Sequence, residues 1–244
     1  MSSQQRIVSL VPSLTEAIAL SAPGRLVAAT DWCTHPVDLD VARIGGTKNP
    51  DVSSIIAMQP DLVIANAEEN REPDLEALRA AGLRVHITDI RTVDGALDSL
   101  RVLMTLMDAE HTDWLDHADA AWANPSQVTT TAGGQVRAVI PIWRRPWMHL
   151  GSDTYAGDVL ARLGVANVLA EHPERYPKIA LDELPPYGLV VLPDEPYVFT
   201  ADDGPEAFPG TPAALVSGRL LTWYGPAMVD APAQLVSAIN AALR

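Results

Sequence analysis

Cys33 and His35 stand two residues apart in the segment Asp31-Trp32-Cys33-Thr34-His35-Pro36, where they offer a sulfur and an imidazole nitrogen to a soft or borderline metal. Two donors do not complete a coordination shell, and no CxxC or HExxH spacing accompanies them. Either they are a buried thiol and a loop-capping histidine, or they touch the metal of a bound molecule, so both stand as candidate metal ligands. A second set is aromatic. Trp32, Trp143, Trp147, Tyr155, Tyr197, Phe199, Trp223 and Tyr224 fall on or beside loops that follow β-type runs, although aromatics form only 5% of the chain. Flat π faces gathered in this way suit a planar conjugated ligand. A third set is polar: Lys48 and Asn49 in one loop, Arg71 beside Glu69 in another, and Arg144 between two tryptophans. Cations placed there would attract a carboxylate or phosphate, and Arg144 could stack as well as pair.

Nothing in this inventory composes a reaction. The sequence has no P-loop, GxGxxG, GxSxG or paired-histidine motif. His86, His111, His117, His149 and His172 are scattered over expected strands and helices and read as structural. The expectation is a binding protein rather than an enzyme. An enzyme or metal-handling protein using Cys33 and His35 is the alternative from another class.

The elements that must position these residues alternate. Arg6–Val11, Leu26–Thr30, Asp61–Asn66 and Arg84–Thr88 are short apolar β-type runs, and helical segments lie between them. Ser13 to Glu16 offers a capping box for the first helix, and Asp51 a cap for the next. The stretch 93–124 has no internal proline and carries apolar residues at helical spacing. About 30 residues of helix make a rod of about 45 Å, long enough to join two lobes; a break near Ala109-Glu110 is the other reading. Thr129–Gln135 reads as a polar linker. Beyond it Val136–Trp143, Leu189–Leu192 and Leu220–Trp223 are expected strands, with helices at Thr154–Leu163 and Ala231–Leu243. Repeated strand–loop–helix units mean parallel sheets with right-handed crossovers. The expected fold is therefore α/β, with an N-terminal lobe over 1–92, a linking helix over 93–124 and a C-terminal lobe over 125–244. The candidate loops all follow strands, the edge at which open parallel sheets bind ligands, so a shared inter-lobe cleft is expected.

The 244 residues carry a net charge of −14, which argues against nucleic acid and anionic membrane as partners. One cysteine rules out an intramolecular disulfide, and no run of 18 apolar residues exists to span a bilayer. MSSQQRIVSL lacks the charged and apolar regions of an export signal, so the chain as written reads as cytoplasmic. A chain trimmed of its signal would instead be periplasmic or on the cell surface.

Five stretches in order carry a resemblance: RIVSLVPSLTE at 6–16, MQPDLVIAN at 58–66, GSDTYAGDVLARLGVANVL at 151–169, DEPYVF at 194–199 and WYGPAM at 223–228. Together they resemble the helical-backbone metal receptors, the ligand-binding components of importers for cobalamin, haem and ferric siderophores. The resemblance implies two α/β lobes joined by one long helix, and a corrinoid or other metal chelate as ligand, with a siderophore or haem receptor as the alternative. It also implies that an ABC importer permease is the partner if the chain is exported, met through Glu69 or Glu72 and Glu195 or Glu206. The loops CTHP, GGTKNP and EENR resemble a subset of these receptors without export signals.

Overall fold

The computed structural model describes residues 5–129 and 135–244. Residues 1–4, where the reading for an export signal began, and 130–134, most of the expected linker, lie outside the described residues. The chain divides into two compact units. One holds the residues up to Ile90, then Ala96–Asp116 and Tyr224–Pro226; the other holds Arg91–Gly95, His117–Trp223 and Ala227–Arg244. The placement of Tyr224–Pro226 with the first unit, far along the chain from the rest of it, was not among the sequence expectations.

In the first unit, β1 (Ile7–Ser9), β2 (Leu26–Ala29), β3 (Ala42–Arg43), β6 (Leu62–Asn66) and β7 (Val85–Thr88) form one parallel sheet in the order β3-β2-β1-β6-β7. Every residue of β6 is buried, as expected for a parallel strand covered on both faces. Gly45–Gly46 (β4) and Asn49–Pro50 (β5) make a small antiparallel hairpin. The helices α1 (Pro12–Ser21), α2 (Val52–Met58) and α3 (Glu72–Ala80) connect the strands. Val8, Leu10, Ile44, Ile55, Val63, Leu75 and Leu78 fill one core. Asp51 caps α2 as read from sequence: its side chain accepts from the Ser54 amide at 3.0 Å. The Ser53 and Ser54 hydroxyls hold its carboxyl low, at about 2. The expected capping box of α1 does not form. The helix begins at Pro12 behind Val11, with no side-chain cap, because proline already supplies the helical φ and has no N–H to satisfy.

The stretch 93–124 is not one rod. It forms α4 (Val93–Leu106) and α5 (Asp113–Ala123). Asp108, at φ 48°, turns the chain left-handed. The Ala109 and Asp108 amides then bond back to the carbonyls of Met104 and Thr105 at 3.0 and 3.1 Å, a Schellman closure. The amides of Glu110 and His111 both donate to the Ser21 carbonyl at the end of α1, and the Trp114 indole donates to the Ser21 hydroxyl at 2.8 Å. Arg25 bonds the Met107 carbonyl and pairs with Glu110 at 3.4 Å. The break is therefore held by partners from a different part of the chain.

In the second unit, β8 (Val136–Val139), β11 (Val165–Asn167), β12 (Leu189–Pro193) and β13 (Ala213–Val216) form a parallel sheet in the order β11-β8-β12-β13. The expected strand 136–143 is two. Pro141 lacks the N–H that a continued ladder needs, and β9 (Pro141–Arg144) instead pairs antiparallel with β10 (Trp147–His149). The expected last strand at Leu220–Trp223 is instead helical, α7 (Gly218–Thr222), capped by Ser217. Helices α6 (Tyr155–Arg162) and α8 (Ala231–Ala242) complete the unit. Val139, Val190, Leu192, Phe199 and Phe208 form its core. No helix among the described residues is long and apolar enough to cross a membrane.

Candidate functional site

Each sheet has one place where strand order reverses, between β1 and β6 in the first and between β8 and β12 in the second. Parallel sheets bind ligands outside the strand carboxyl ends at such points.

At the first, the loop after β6 is set by two buried asparagines. Asn66 Oδ1 accepts from the amides of Glu68 and Glu69 at 2.9 and 3.3 Å. Asn70 accepts from the Asn66 amide at 2.9 Å and donates to the Leu10 and Thr47 carbonyls at 3.2 and 3.0 Å. This fixes Glu69, half-buried, so that its carboxyl receives the Tyr224 hydroxyl at 3.4 Å. Burial pushes the Glu69 carboxyl up to about 7; the charge of Glu68 adds to this, while Tyr224 and Lys48 oppose it. The Tyr224 phenol is raised well above its ordinary value, first by burial and then by the charge of Glu69. Gly225, at φ 147°, brings this strap onto α1, where an added Cβ would come 3.1 Å from the Ser13 carbonyl.

The other first-unit candidates divide. Trp32 is 67% exposed in the loop after β2. A Cβ added at Gly46 would lie 3.4 Å from its Nε1 and 2.5 Å from Asn49 Oδ1, so this glycine lets both side chains approach the hairpin. Lys48 donates to the Glu68 carbonyl at 2.5 Å. Arg71 is engaged by its own helix, with both nitrogens of its fork on Asp74 at 2.9 and 3.0 Å. His35 is half-buried, its Nδ1 3.1 Å from the Thr34 hydroxyl. Cys33 is fully buried, its Sγ 3.0 Å from Thr15 Oγ1 and 3.2 Å from Thr30 Oγ1. Burial raises its thiol pKa against those hydrogen bonds, the opposite of what a metal-binding thiolate needs. Its sulfur is thus out of reach of a ligand approaching from solvent. Among the described residues no group of three or more His, Cys, Asp or Glu side chains could hold a metal ion.

At the second reversal the aromatics assemble. Trp143 is 41% exposed and meets Tyr197 edge-on, with ring centroids 5.6 Å apart at 80°. Tyr197 lies 4.7 Å from Phe199, and Trp147 stacks on Phe199 at 6.3 Å and 5°. Arg144 is paired with Asp203 and Glu206 and lies over Trp147, its Cζ 5.5 Å from the ring centroid. It stacks as expected, but its charge is already matched within the chain. Tyr155 is buried at the start of α6 and belongs to packing. Trp223 is buried too, donating to Glu195 Oε2 at 3.1 Å. Sequence reasoning missed Asp203. In Thr200-Ala-Asp-Asp-Gly204 it looks like ordinary loop charge, and nothing in the spacing marks its partners.

Parallel sheets with aromatic and polar loops at their carboxyl edges define an α/β ligand-binding fold. The chain belongs to the periplasmic binding protein family, whose sequence model matches residues 7–185. A vitamin B12-binding protein of Pectobacterium carotovorum subsp. carotovorum is 24% identical over 187 residues, covering 74% of this chain and 67% of its own. One of Vibrio cholerae is 24% identical over 183 residues, covering 74% and 66%. The chain therefore spans about two thirds of the length of these relatives. Among solved structures, the periplasmic haem-binding protein of Roseiflexus sp. RS-1 matches with a TM-score of 0.80 at 19% identity, covering 99% of this chain and 100% of its own. The periplasmic vitamin B12 binding protein of Vibrio cholerae matches with a TM-score of 0.74 at 17% identity, covering 98% of each chain. At these identities the likeness is one of fold.

Proposed function

We propose that this protein binds a metal chelate with a flat conjugated ring system, a corrinoid first, through the loops at the carboxyl ends of its parallel strands. The observation that carries the reading is the exposure of Trp32 and Trp143, at 67% and 41%, on loops or strands at those edges. A large apolar ring left in water forgoes about 25 cal/mol for every Å² that a ligand face would cover. Supporting it are the family and the relatives named for vitamin B12 and haem. A corrinoid presenting neutral amides also suits loops whose cations, Lys48, Arg71 and Arg144, are each engaged within the chain. Carboxylate-bearing haem would need one of them released. The mechanism is encapsulation: aromatic faces remove apolar ligand surface from water, and a few polar groups set its orientation. An importer permease is the proposed recipient of the loaded protein.

Absorbance and calorimetric titrations with cyanocobalamin, cobinamide, haem and a ferric chelate test this. Saturable binding of a corrinoid is expected, tighter than that of haem. Preference for haem or the ferric chelate would replace the corrinoid, and no saturable binding of any probe would overturn the reading.

A further inference from the structure

Asp203 joins groups that sequence reading kept apart. Its Oδ2 accepts the Tyr197 hydroxyl at 2.6 Å, and its Oδ1 receives the Arg144 guanidinium. The other side of Arg144 is held by Glu206, whose carboxylate accepts the Gly204 amide at 2.6 Å and is kept below its usual range by that bond and by Arg144. The backbone of Asp203 is itself pinned, its amide to the Thr200 hydroxyl at 3.1 Å and its carbonyl to the Thr200 amide at 3.0 Å. The charged chain Glu206–Arg144–Asp203 therefore ends on a phenol. That phenol's ring stands edge-on to the exposed indole of Trp143.

We infer that Asp203 is a positioning residue: it locks the Tyr197 ring and so presents Trp143 as a fixed face for a flat, conjugated ligand. The physical case rests on entropy and geometry. An exposed tryptophan free to turn loses rotamer freedom when a ligand settles on it, and a ring already held loses less. A tyrosine whose hydroxyl is tied to a carboxylate, itself tied to a guanidinium whose other nitrogen holds a second carboxylate, is such a support. A salt bridge that only closed the loop 200–206 would have no reason to end on Tyr197. The inference deepens the proposed ligand site and rests on that reading for its binding arm.

The test uses the full chain and the variants Asp203→Ala, Tyr197→Phe and their combination, with Trp143→Phe to assign the Trp143 indole N–H resonance among the six tryptophans. In the ligand-free protein, Asp203→Ala and Tyr197→Phe should each shift or broaden that resonance. Each should weaken cyanocobalamin binding by roughly 3- to 10-fold, the worth of about one hydrogen bond. The double variant should lose no more than the worse single one, because both cut the same chain. An unmoved Trp143 resonance, unchanged binding, or losses that multiply would overturn the inference. Should Asp203→Ala fail to fold, Tyr197→Phe, which keeps the ring and loses only the hydroxyl, decides. If the unaltered protein binds none of the four probes, the proposed function falls, while the ligand-free resonance still judges the role of Asp203.

Discussion

The Tyr224 hydroxyl donates to the Glu69 carboxyl across 3.4 Å of space and 155 positions of sequence. Burial raises the carboxyl from 4.5 in the unfolded chain to about 7. Between those two values the folded protein keeps a proton that the unfolded chain has released. The contribution of Glu69 to stability is therefore greatest below about 4.5, falls as pH rises towards 7, and is level above it. Thermal unfolding followed from about pH 5 to about pH 8 should show this decline, and Glu69→Gln should flatten it. An identical slope in the variant would place the titrating group elsewhere.

Cys33 gives the second prediction. Its thiol, fully buried between Thr15 and Thr30, should ignore an aromatic disulfide reagent in the native protein and react only as the chain unfolds. Cys33→Ala removes two weak hydrogen bonds and a little volume, for an expected loss of about 1–2 kcal/mol in urea denaturation. Ligand affinity should stay within about twofold, well inside one hydrogen bond's worth. A folded Cys33→Ala protein that no longer binds its ligand would return the sulfur to the site.

Gly218 gives the third. A Cβ at this position would lie 2.6 Å from both the amide nitrogen and the Cβ of Glu195, and backbone cannot step aside as a flexible side-chain tip can. Gly218→Ala should cost about 1–3 kcal/mol. It should also displace the Glu195 carboxylate from the Trp223 indole, which now donates to it at 3.1 Å. Denaturation and the tryptophan emission spectrum would read the two effects, and wild-type values in both would show that the loop yields freely.

What could be read from sequence follows from where each signal is stored. The strand Leu62–Asn66 was legible because a parallel strand covered on both faces is an unbroken apolar run. The cap at Asp51 was legible because donor and acceptor are three residues apart. That Trp32 and Trp143 stand at or just after strand ends was legible, because strand ends and aromatics are local features, but their exposure was not. The fate of Arg144 was not, since its partners Asp203 and Glu206 arrive from another loop; for Cys33 a buried thiol was one of the two readings, but its packing against Thr15 was not legible. Leu220–Trp223 misled because a short apolar run carries no period of its own, and Ser217 decided for helix. The helix break at 107–112 was legible only as the alternative reading, near Ala109-Glu110, because what fixes it is not local. Its left-handed residue is an aspartate rather than a glycine, and Ser21, which receives the freed amides, lies far upstream.

That break supplies the last prediction. Asp108 holds φ 48° at the end of α4, a conformation that costs a residue with a Cβ about 1 kcal/mol and glycine almost nothing. Its carboxylate also sits at a helix C-terminus, where the aligned peptide dipoles disfavour negative charge. Asp108→Gly relieves both, while the greater freedom of glycine in the unfolded chain opposes it. The net expectation is a gain of about 0.5–1 kcal/mol. Asp108→Val should lose at least about 1 kcal/mol, since a β-branched residue is least able to turn left-handed. Urea denaturation of both variants beside the unaltered protein decides between two accounts of the break. If Asp108→Gly is less stable than the unaltered protein, the aspartate side chain itself holds the turn; a gain, with Asp108→Val losing, means that the backbone closure onto Met104 and Thr105 ends α4, with Ser21 receiving the amides released beyond it.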